Sequence, residues 1–331
     1  MNKNKTLVNH INNTLLDWLK EDNKGTIIGE DILDPYGGAF KVTKGISSTY
    51  PDRLINTPIS ESLISGMLIG LSLEGMHPCG EIMFGDFMSL TFSQMFDNAE
   101  KYYKMFNGQV EYPFVLRTPM GGGRGYGATH SQSIEKVFSL FQYIDVIAIN
   151  NYKDNTYKNC FDFYNKPVII IENKWLYGQE LITEKSIIKK GLNIEESNER
   201  FCSYYFSFEK PESDILTIIT YGPHFSSTLD LVYNEYINSE KSIGIVLLTN
   251  LSNIDFGFIS NHICSENKVL IIEDGHVKQG IGSEIISILS EKNNVYKRLG
   301  ARDIVIPSAL QLEKEVIVTS SRIKSAINSF I

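Results

Sequence analysis

The sequence predicts an α/β protein of two domains, each a mostly parallel sheet with helices on both faces. Three observations carry that expectation. Short apolar runs bounded by polar residues recur along the chain, Asp145 to Ile149 and Pro167 to Ile171 among them, as strands buried on both faces do. Stretches with apolar residues at helical spacing alternate with these runs, and such alternation implies a parallel sheet covered on both sides. The alternation breaks once, from Gly178 to Arg200, where Gln179, Glu180, Glu184, Lys185, Lys189 and Lys190 cluster without an aromatic residue. At 331 residues the chain is long enough for two ordinary domains. The boundaries expected are a first domain over 1–178, a linker or surface excursion over 179–205, and a second domain over 206–331. There is no internal repeat and no low-complexity tract.

The first domain opens on a helix over 6–21, where Leu7, Ile11, Leu15, Leu16 and Leu19 stand near helical spacing. A short strand, Thr26-Ile27-Ile28, follows and closes on Gly29-Glu30-Asp31. Pro35-Tyr36-Gly37-Gly38 reads as a turn. Thr57-Pro58 opens the next helix, proline being tolerated in a first turn, and Ile64, Met67, Leu68 and Leu71 continue it. Gly66 and Gly70 lie on that helix at a cost of about 1 kcal/mol each relative to alanine. They point to another backbone packing closely there, as at a subunit contact. Ile82-Met83-Phe84 and Phe114-Val115-Leu116 read as strands, Phe92 to Tyr103 as a helix, and Ile134, Val137, Phe138 and Phe141 as a further helical pattern. The second domain restarts with Ile215 to Ile219 and the turn Tyr221-Gly222-Pro223. Helical patterns then separate the apolar runs Ile243 to Leu248 and Val269 to Glu273.

The net charge of −8 argues against a broad nucleic-acid surface, which needs a basic field, and leaves room for a small anionic ligand at one local site. Cys79, Cys160, Cys202 and Cys264 are far apart and show no C-x-x-C spacing. That favours reduced thiols in a cytoplasmic protein over a disulfide framework or a zinc site. Met1-Asn2-Lys3-Asn4-Lys5 lacks the apolar core of a signal peptide. No apolar run approaches the roughly twenty residues of a membrane helix.

The most informative stretch runs from Met120 through Gly121-Gly122-Gly123-Arg124-Gly125-Tyr126-Gly127 to His130-Ser131-Gln132-Ser133. Glycine lets a backbone pass close to a neighbour and tolerates positive φ. The loop ends in a histidine, a side chain able to move protons near neutral pH. A flexible loop that delivers a histidine between a strand and a helix is a common way to build an active-site loop. It is not a phosphate cradle: it lacks the lysine and hydroxyl residue of a P-loop, and its spacing is not that of a dinucleotide fingerprint.

Several segments, taken in order, resemble one known family. In the first half they are Gly29-Glu30-Asp31, Asn56-Thr57-Pro58-Ile59-Ser60-Glu61, Phe84-Gly85-Asp86-Phe87, Gln94 to Lys101, Arg117-Thr118-Pro119, the glycine loop into His130, and Glu172-Asn173-Lys174-Trp175-Leu176-Tyr177. In the second half they are Thr220-Tyr221-Gly222, Glu273-Asp274-Gly275-His276 and Gly280-Ile281-Gly282-Ser283-Glu284. Over nearly its whole length the chain is similar to the β subunit of the two-chain, thiamine-diphosphate-dependent 2-oxo acid dehydrogenases, the decarboxylating component of pyruvate and branched-chain complexes. The resemblance implies a transketolase-like pyrimidine-binding domain followed by a transketolase C-terminal-like domain.

It also implies roles. Glu61 matches the carboxyl that hydrogen-bonds the cofactor's aminopyrimidine and favours the tautomer that activates the thiazolium; a carboxyl suits this because it exchanges one proton over a short bond. Read from its local sequence alone, Glu61 is a first-turn acidic residue complementing the helix dipole. His130 matches a histidine near the reactive end of the cofactor that assists acyl transfer; read locally, it caps a turn. Phe87 matches the aromatic that stacks on the aminopyrimidine, an arrangement worth about 1 kcal/mol beyond its area. Met83 and Ile59 match apolar walls of the same pocket, and as apolar residues both are equally candidates for core packing. His224 and His276, at the ends of expected strands, are candidate interface residues.

The magnesium that bridges the cofactor's diphosphate is usually held by a Gly-Asp-Gly opening and a later asparagine. This chain has none; Gly85-Asp86-Phe87 is the nearest, at the position of the stacking aromatic. The resemblance therefore implies an α subunit that holds magnesium and the diphosphate, two α and two β chains sharing the cofactor sites, and a small 2-oxo acid substrate. Some segments depart from the family. Phe141 to Ile147 and Lys153 to Cys160 differ from the family's usual patterns. The loop before Pro167, which in many members holds a structural monovalent cation, is shortened, and Leu248 to Ile254 departs in the domain that docks the lipoyl acyltransferase. The reading favoured is oxidative decarboxylation with acyl transfer to lipoamide. Two alternatives stand beside it: a subunit of an acyloin or acyl-transfer synthase of specialised metabolism not coupled to a lipoyl complex, and a non-catalytic interaction protein of the same fold.

Overall fold

The computed structural model describes residues 6–331 except 154, 163 and 265. The polar opening pentapeptide and Asp154 of the departing 153–160 segment lie outside the described residues. Six strands form a wholly parallel first sheet: β1 (Gly25–Gly29), β2 (Leu54–Asn56), β3 (His77–Glu81), β4 (Val115–Met120), β5 (Asp145–Ala148) and β6 (Val168–Asn173), in the order β2-β1-β3-β4-β6-β5. Six more form the second: β7 (Asn193–Glu196), β8 (Tyr204–Ser207), β9 (Leu216–Thr220), β10 (Gly244–Leu247), β11 (Lys268–His276) and β12 (Val295–Ala301), ordered β12-β11-β9-β10-β8-β7. This sheet is parallel except that β8 runs antiparallel to both β10 and β7. Helices cover both sheets, so β1, β4, β5, β6, β9 and β10 are buried along their length. That is why these strands read as continuous apolar runs rather than alternating ones. Among the described residues no helix is long and apolar enough to cross a membrane.

Five expectations are corrected. Ile82-Met83-Phe84 is not a strand; β3 ends at Glu81, and Gly85–Thr91 coils into 3₁₀ turns. The second long helix starts at Glu61, not at Thr57-Pro58: Ser60 is its N-cap, with Oγ accepting from Leu63 N at 3.3 Å. The Glu30 carboxylate takes Ser60 N–H at 3.0 Å, and Ser60 itself is extended. Phe92 to Tyr103 is helical but interrupted, with a π-helical segment at Gln94–Ala99, and the pattern after His130 yields only the short helix Glu135–Phe138. The 179–205 stretch carries a helix, Glu184–Lys189, and β7, a mostly exposed edge strand of the second sheet. An edge strand that buries only one face offers almost no apolar pattern to read.

Arg117, in the centre of β4, is 1% exposed. Its guanidinium pairs with Glu81 at the end of β3 and, at 2.5 Å, with Glu172 near the end of β6. Tyr157 and Tyr177 close the group, each donating its hydroxyl to Glu172. Removing one partner of a buried pair costs about 3–5 kcal/mol because the other charges are stranded. Arg117→Met should therefore lower the stability of the first domain by that amount. Denaturant unfolding followed through Trp18, which is buried in the same domain, measures it; a loss under about 1 kcal/mol, the value of an exposed pair, would contradict this account.

Candidate functional site

In an open parallel sheet, ligands bind outside the carboxyl ends of the strands where the order reverses. In the first sheet that place lies between β1 and β3, because the chain turns to β2 on one side of β1 and to β3 on the other. Glu30 leaves β1 there, Ile82 to Phe87 leave β3, the glycine loop leaves β4 and Lys174 leaves β6. Glu61 sits on the first turn of the Glu61–Leu73 helix, whose start is tied to the 85–91 segment by Ser62 Oγ donating to Leu90 O at 2.5 Å. Glu61 is 6% exposed, yet its carboxyl makes no hydrogen bond among the described residues. The carboxyl oxygens still reach solvent and have no partner among the described residues, so they are open to a ligand nitrogen that can bond to them. Neighbouring Glu30 is raised above the usual carboxyl range by burial; its bond from Ser60 N–H opposes this, and the Glu61 charge adds to it.

The rings of Phe87 and His130 lie 5.2 Å apart and nearly perpendicular, at 78°. Phe84, absent from the expected set, packs edge-on against His130 at 4.6 Å and against Tyr126 at 6.0 Å. Met83 and Phe87 are half-buried. Ile59 is 83% exposed, which excludes core packing for it. The His130 Nδ1 lies 2.8 Å from Thr129 Oγ1. Phe84 escaped notice because it was read as part of a strand; an aromatic beside a turn glycine, Gly85, was the available signal.

What the glycine loop approaches is the second domain. Glu313, on the Leu310–Val316 helix, is buried and accepts Gly123 N–H at 2.9 Å and Gly125 N–H at 2.8 Å. Those donors are thereby taken, in keeping with the reading that the loop is no phosphate cradle. A Cβ at Gly125, where φ is +71°, would stand 3.0 Å from Ser308 O. Nothing in the local sequence marks Glu313, because its partners lie almost two hundred residues earlier.

Behind the loop the two domains share an acidic pair, buried Glu135 and partly exposed Asp274. Glu135 accepts from Tyr221 Oη at 2.6 Å and from Gly275 N–H at 3.2 Å. Burial, and then the charge of Asp274, push its carboxyl up to about 7. Burial also acts to raise Asp274, but bonds from His224, Ser133 and Asn173 outweigh it and hold that carboxyl below its ordinary value. His224 is thus buried in the seam, with Nε2 3.1 Å from Asp274, and is not on an outer interface; His276 pairs with Asp303 at 3.3 Å. Among the described residues no three His, Cys, Asp or Glu side chains are grouped to hold a metal ion.

Comparison with known proteins agrees with this architecture. The family model for the transketolase pyrimidine-binding domain matches residues 3–179, and that for the transketolase C-terminal domain matches residues 207–323. A pyruvate dehydrogenase E1 component subunit beta from Porphyra purpurea is 30% identical, covering 95% of this chain and 92% of the relative. One from Gracilaria tenuistipitata var. liui is 29% identical over 95% of each, and the chloroplastic beta-3 protein of Arabidopsis thaliana is 29% identical over 95% of this chain and 75% of the relative. Among solved structures, a split-gene transketolase described as an inactive beta4 tetramer superimposes with a TM-score of 0.72, covering 97% of this chain and 96% of that one, at 18% identity.

The seam has a pH signature. The Glu135 carboxyl is raised in the folded state, so its contribution to stability is fully present below about 4.5 and is lost as pH rises toward about 7. Thermal unfolding between pH 5 and 7.5 should show the wild-type chain losing stability across this window and Glu135→Gln, which keeps an acceptor for Tyr221, losing less. Identical slopes for the two would contradict the assignment.

Proposed function

The chain belongs to the transketolase family, as a pyrimidine-binding domain followed by a C-terminal domain, and from that premise we propose that it is the β subunit of a thiamine-diphosphate-dependent 2-oxo acid dehydrogenase. The observation that carries this reading is the carboxyl of Glu61, free of any hydrogen bond among the described residues, on a largely buried residue at the reversal point of the first sheet. When bound, thiamine diphosphate supplies the electron sink that lets a 2-oxo acid lose carbon dioxide. Glu61 holds and exchanges a proton at the aminopyrimidine, a role that suits a carboxyl with no competing hydrogen bond. Phe87 offers its face to that ring, with Met83 beside it, and exposed Ile59 completes the wall when the partner covers it. His130 stands at the acyl-transfer end, steered by Phe84 and Phe87. The acyl acceptor is lipoamide; the alternative, a synthase adding the acyl group to a carbonyl compound, differs in the acceptor alone and is favoured by the altered 248–254 segment.

The partner is an α subunit that holds magnesium and the diphosphate, in an assembly of two α and two β chains. Supporting this, Leu63, Met67, Gly70 and Leu73 form an apolar stripe on the Glu61–Leu73 helix that is wholly or partly exposed. The sequence expects a close backbone neighbour at Gly66 and Gly70, and within this chain neither has one: a Cβ on Gly66 would meet only Gln94 at 3.9 Å, and one on Gly70 nothing within 4 Å. None of the four cysteines is in a disulfide, which suits a reducing compartment.

Two experiments follow. The purified chain alone should not decarboxylate 2-oxo acids, and addition of an α chain carrying the diphosphate motif should restore turnover; in that complex Glu61→Gln should cut kcat by about 10²–10⁴-fold. Turnover by the chain alone, or full activity of the variant, would overturn the assignment. Gly70→Leu should leave the isolated chain folded, and by helix propensity roughly 0.5–1 kcal/mol more stable, while abolishing assembly with the α chain in sedimentation velocity. Unimpaired assembly would remove this helix from the interface.

A further inference from the structure

We propose that Lys174 is a positioning residue that closes the glycine loop and fixes where the His130 imidazole stands against Phe84 and Phe87. Lys174 follows β6 directly and touches the loop at three points. Its N–H donates to Met120 O at the loop's start, 3.1 Å away. Its carbonyl accepts from Arg124 in the middle, at 2.6 Å. Its ammonium donates to His130 O at the far end, also at 2.6 Å. The ammonium lies 5.4 Å from the centre of the Phe84 ring, the ring that packs edge-on to His130. One residue therefore joins the beginning, middle and end of the loop and touches the aromatic that faces the histidine.

Ordinary packing does not account for a lysine here. The residue is 0% exposed, and sheltering an ammonium from water is costly unless hydrogen bonds and opposite charges offset it. Burial brings its pKa down to about 8. The charged groups facing it are Asp86 and Asp274, which favour the ammonium, Arg124, which opposes it, and Glu313, which favours it. Asp86 Oδ2 is itself buried without a hydrogen-bond partner, while Oδ1 accepts from Gln132, two residues past the histidine, at 3.1 Å. A methionine would fill the same volume at less expense, but it could not hold a carbonyl. A charge-assisted bond to a carbonyl is about twice as strong as a neutral one, so the clamp is firm below about pH 8 and slackens as the amine loses its proton.

The clamp itself is independent of the proposed activity; its catalytic consequence rests on the role given to His130 above. Hydrogen–deuterium exchange on the full chain tests the clamp. Lys174→Met should speed exchange of residues 121–133 by roughly ten- to a hundredfold, the effect expected when a bond to a charged group is lost, with β9 to β11 unchanged. The double variant Lys174→Met/Asp86→Asn, which strands no carboxylate, should show the same local loosening. Unchanged exchange of 121–133 in both variants, or equal loosening of the whole first domain, overturns the proposal. In the assembled enzyme Lys174→Met should lower kcat about tenfold or more with KM and cofactor affinity altered less than about twofold, and should add little on top of His130→Ala, because residues acting as one unit are not additive. Full additivity overturns the coupling to His130. Absence of turnover in the wild-type assembly defeats the functional reading and leaves exchange to decide the clamp.

Discussion

One guanidinium holds three strands together. Arg117 projects from β4 and meets Glu81 of β3 on one side and Glu172 of β6 on the other, in a space that water does not reach. The planar fork of an arginine can serve two carboxylates at once, which a lysine's point charge cannot. Glu81 is followed at once by the segment carrying Met83, Phe84 and Phe87, and Glu172 by Asn173 and Lys174. The register of these strands thus sets the spacing of the aromatic wall and the loop clamp. Burial pushes the Glu81 carboxyl up and the Arg117 charge opposes it, so the pair holds only while every member is present. Such a group adds little net stability compared with apolar packing, but it penalises any other arrangement of the strand ends.

The second domain contributes to the site without supplying a side chain to its chemistry. Through Glu313 it captures two backbone donors of the glycine loop, and Ser308 leaves no room for a side chain at Gly125. Through Asp274 it receives Ser133 and Asn173, which flank the loop's far end and the end of β6. The loop is therefore held from both domains, and His130 sits where the two sets of restraints meet. This explains why a segment so rich in glycine can present one imidazole in a defined place: the freedom that glycine gives the chain is removed by contacts made elsewhere.

Much of this was legible in the chain itself. Apolar runs and helical spacing are local properties, and they led directly to two α/β domains. The motifs around Glu61, Phe87 and His130 pointed to the family. Elements were misjudged where local pattern and long-range contact disagree. The helix expected from Thr57 begins at Glu61 because Glu30, thirty residues earlier, holds the Ser60 backbone. The strand expected at Ile82 to Phe84 had a strand's composition, yet pairing ends at Glu81. The edge strand β7 was missed because only one of its faces is covered.

By itself the sequence determined the class of fold and its two domains, and it set Glu61, Phe87 and His130 in motifs that resemble one family. It also pointed, through two glycines on an apolar helix, to a close backbone neighbour there. Only the tertiary structure decided that the glycine loop leans on Glu313 and Ser308, that Lys174 ties that loop at three points, and that Glu135 and Asp274 share one seam. The reason is physical: periodicity is written in neighbouring residues, whereas the partner of a buried charge is chosen by folding and can lie anywhere along the chain.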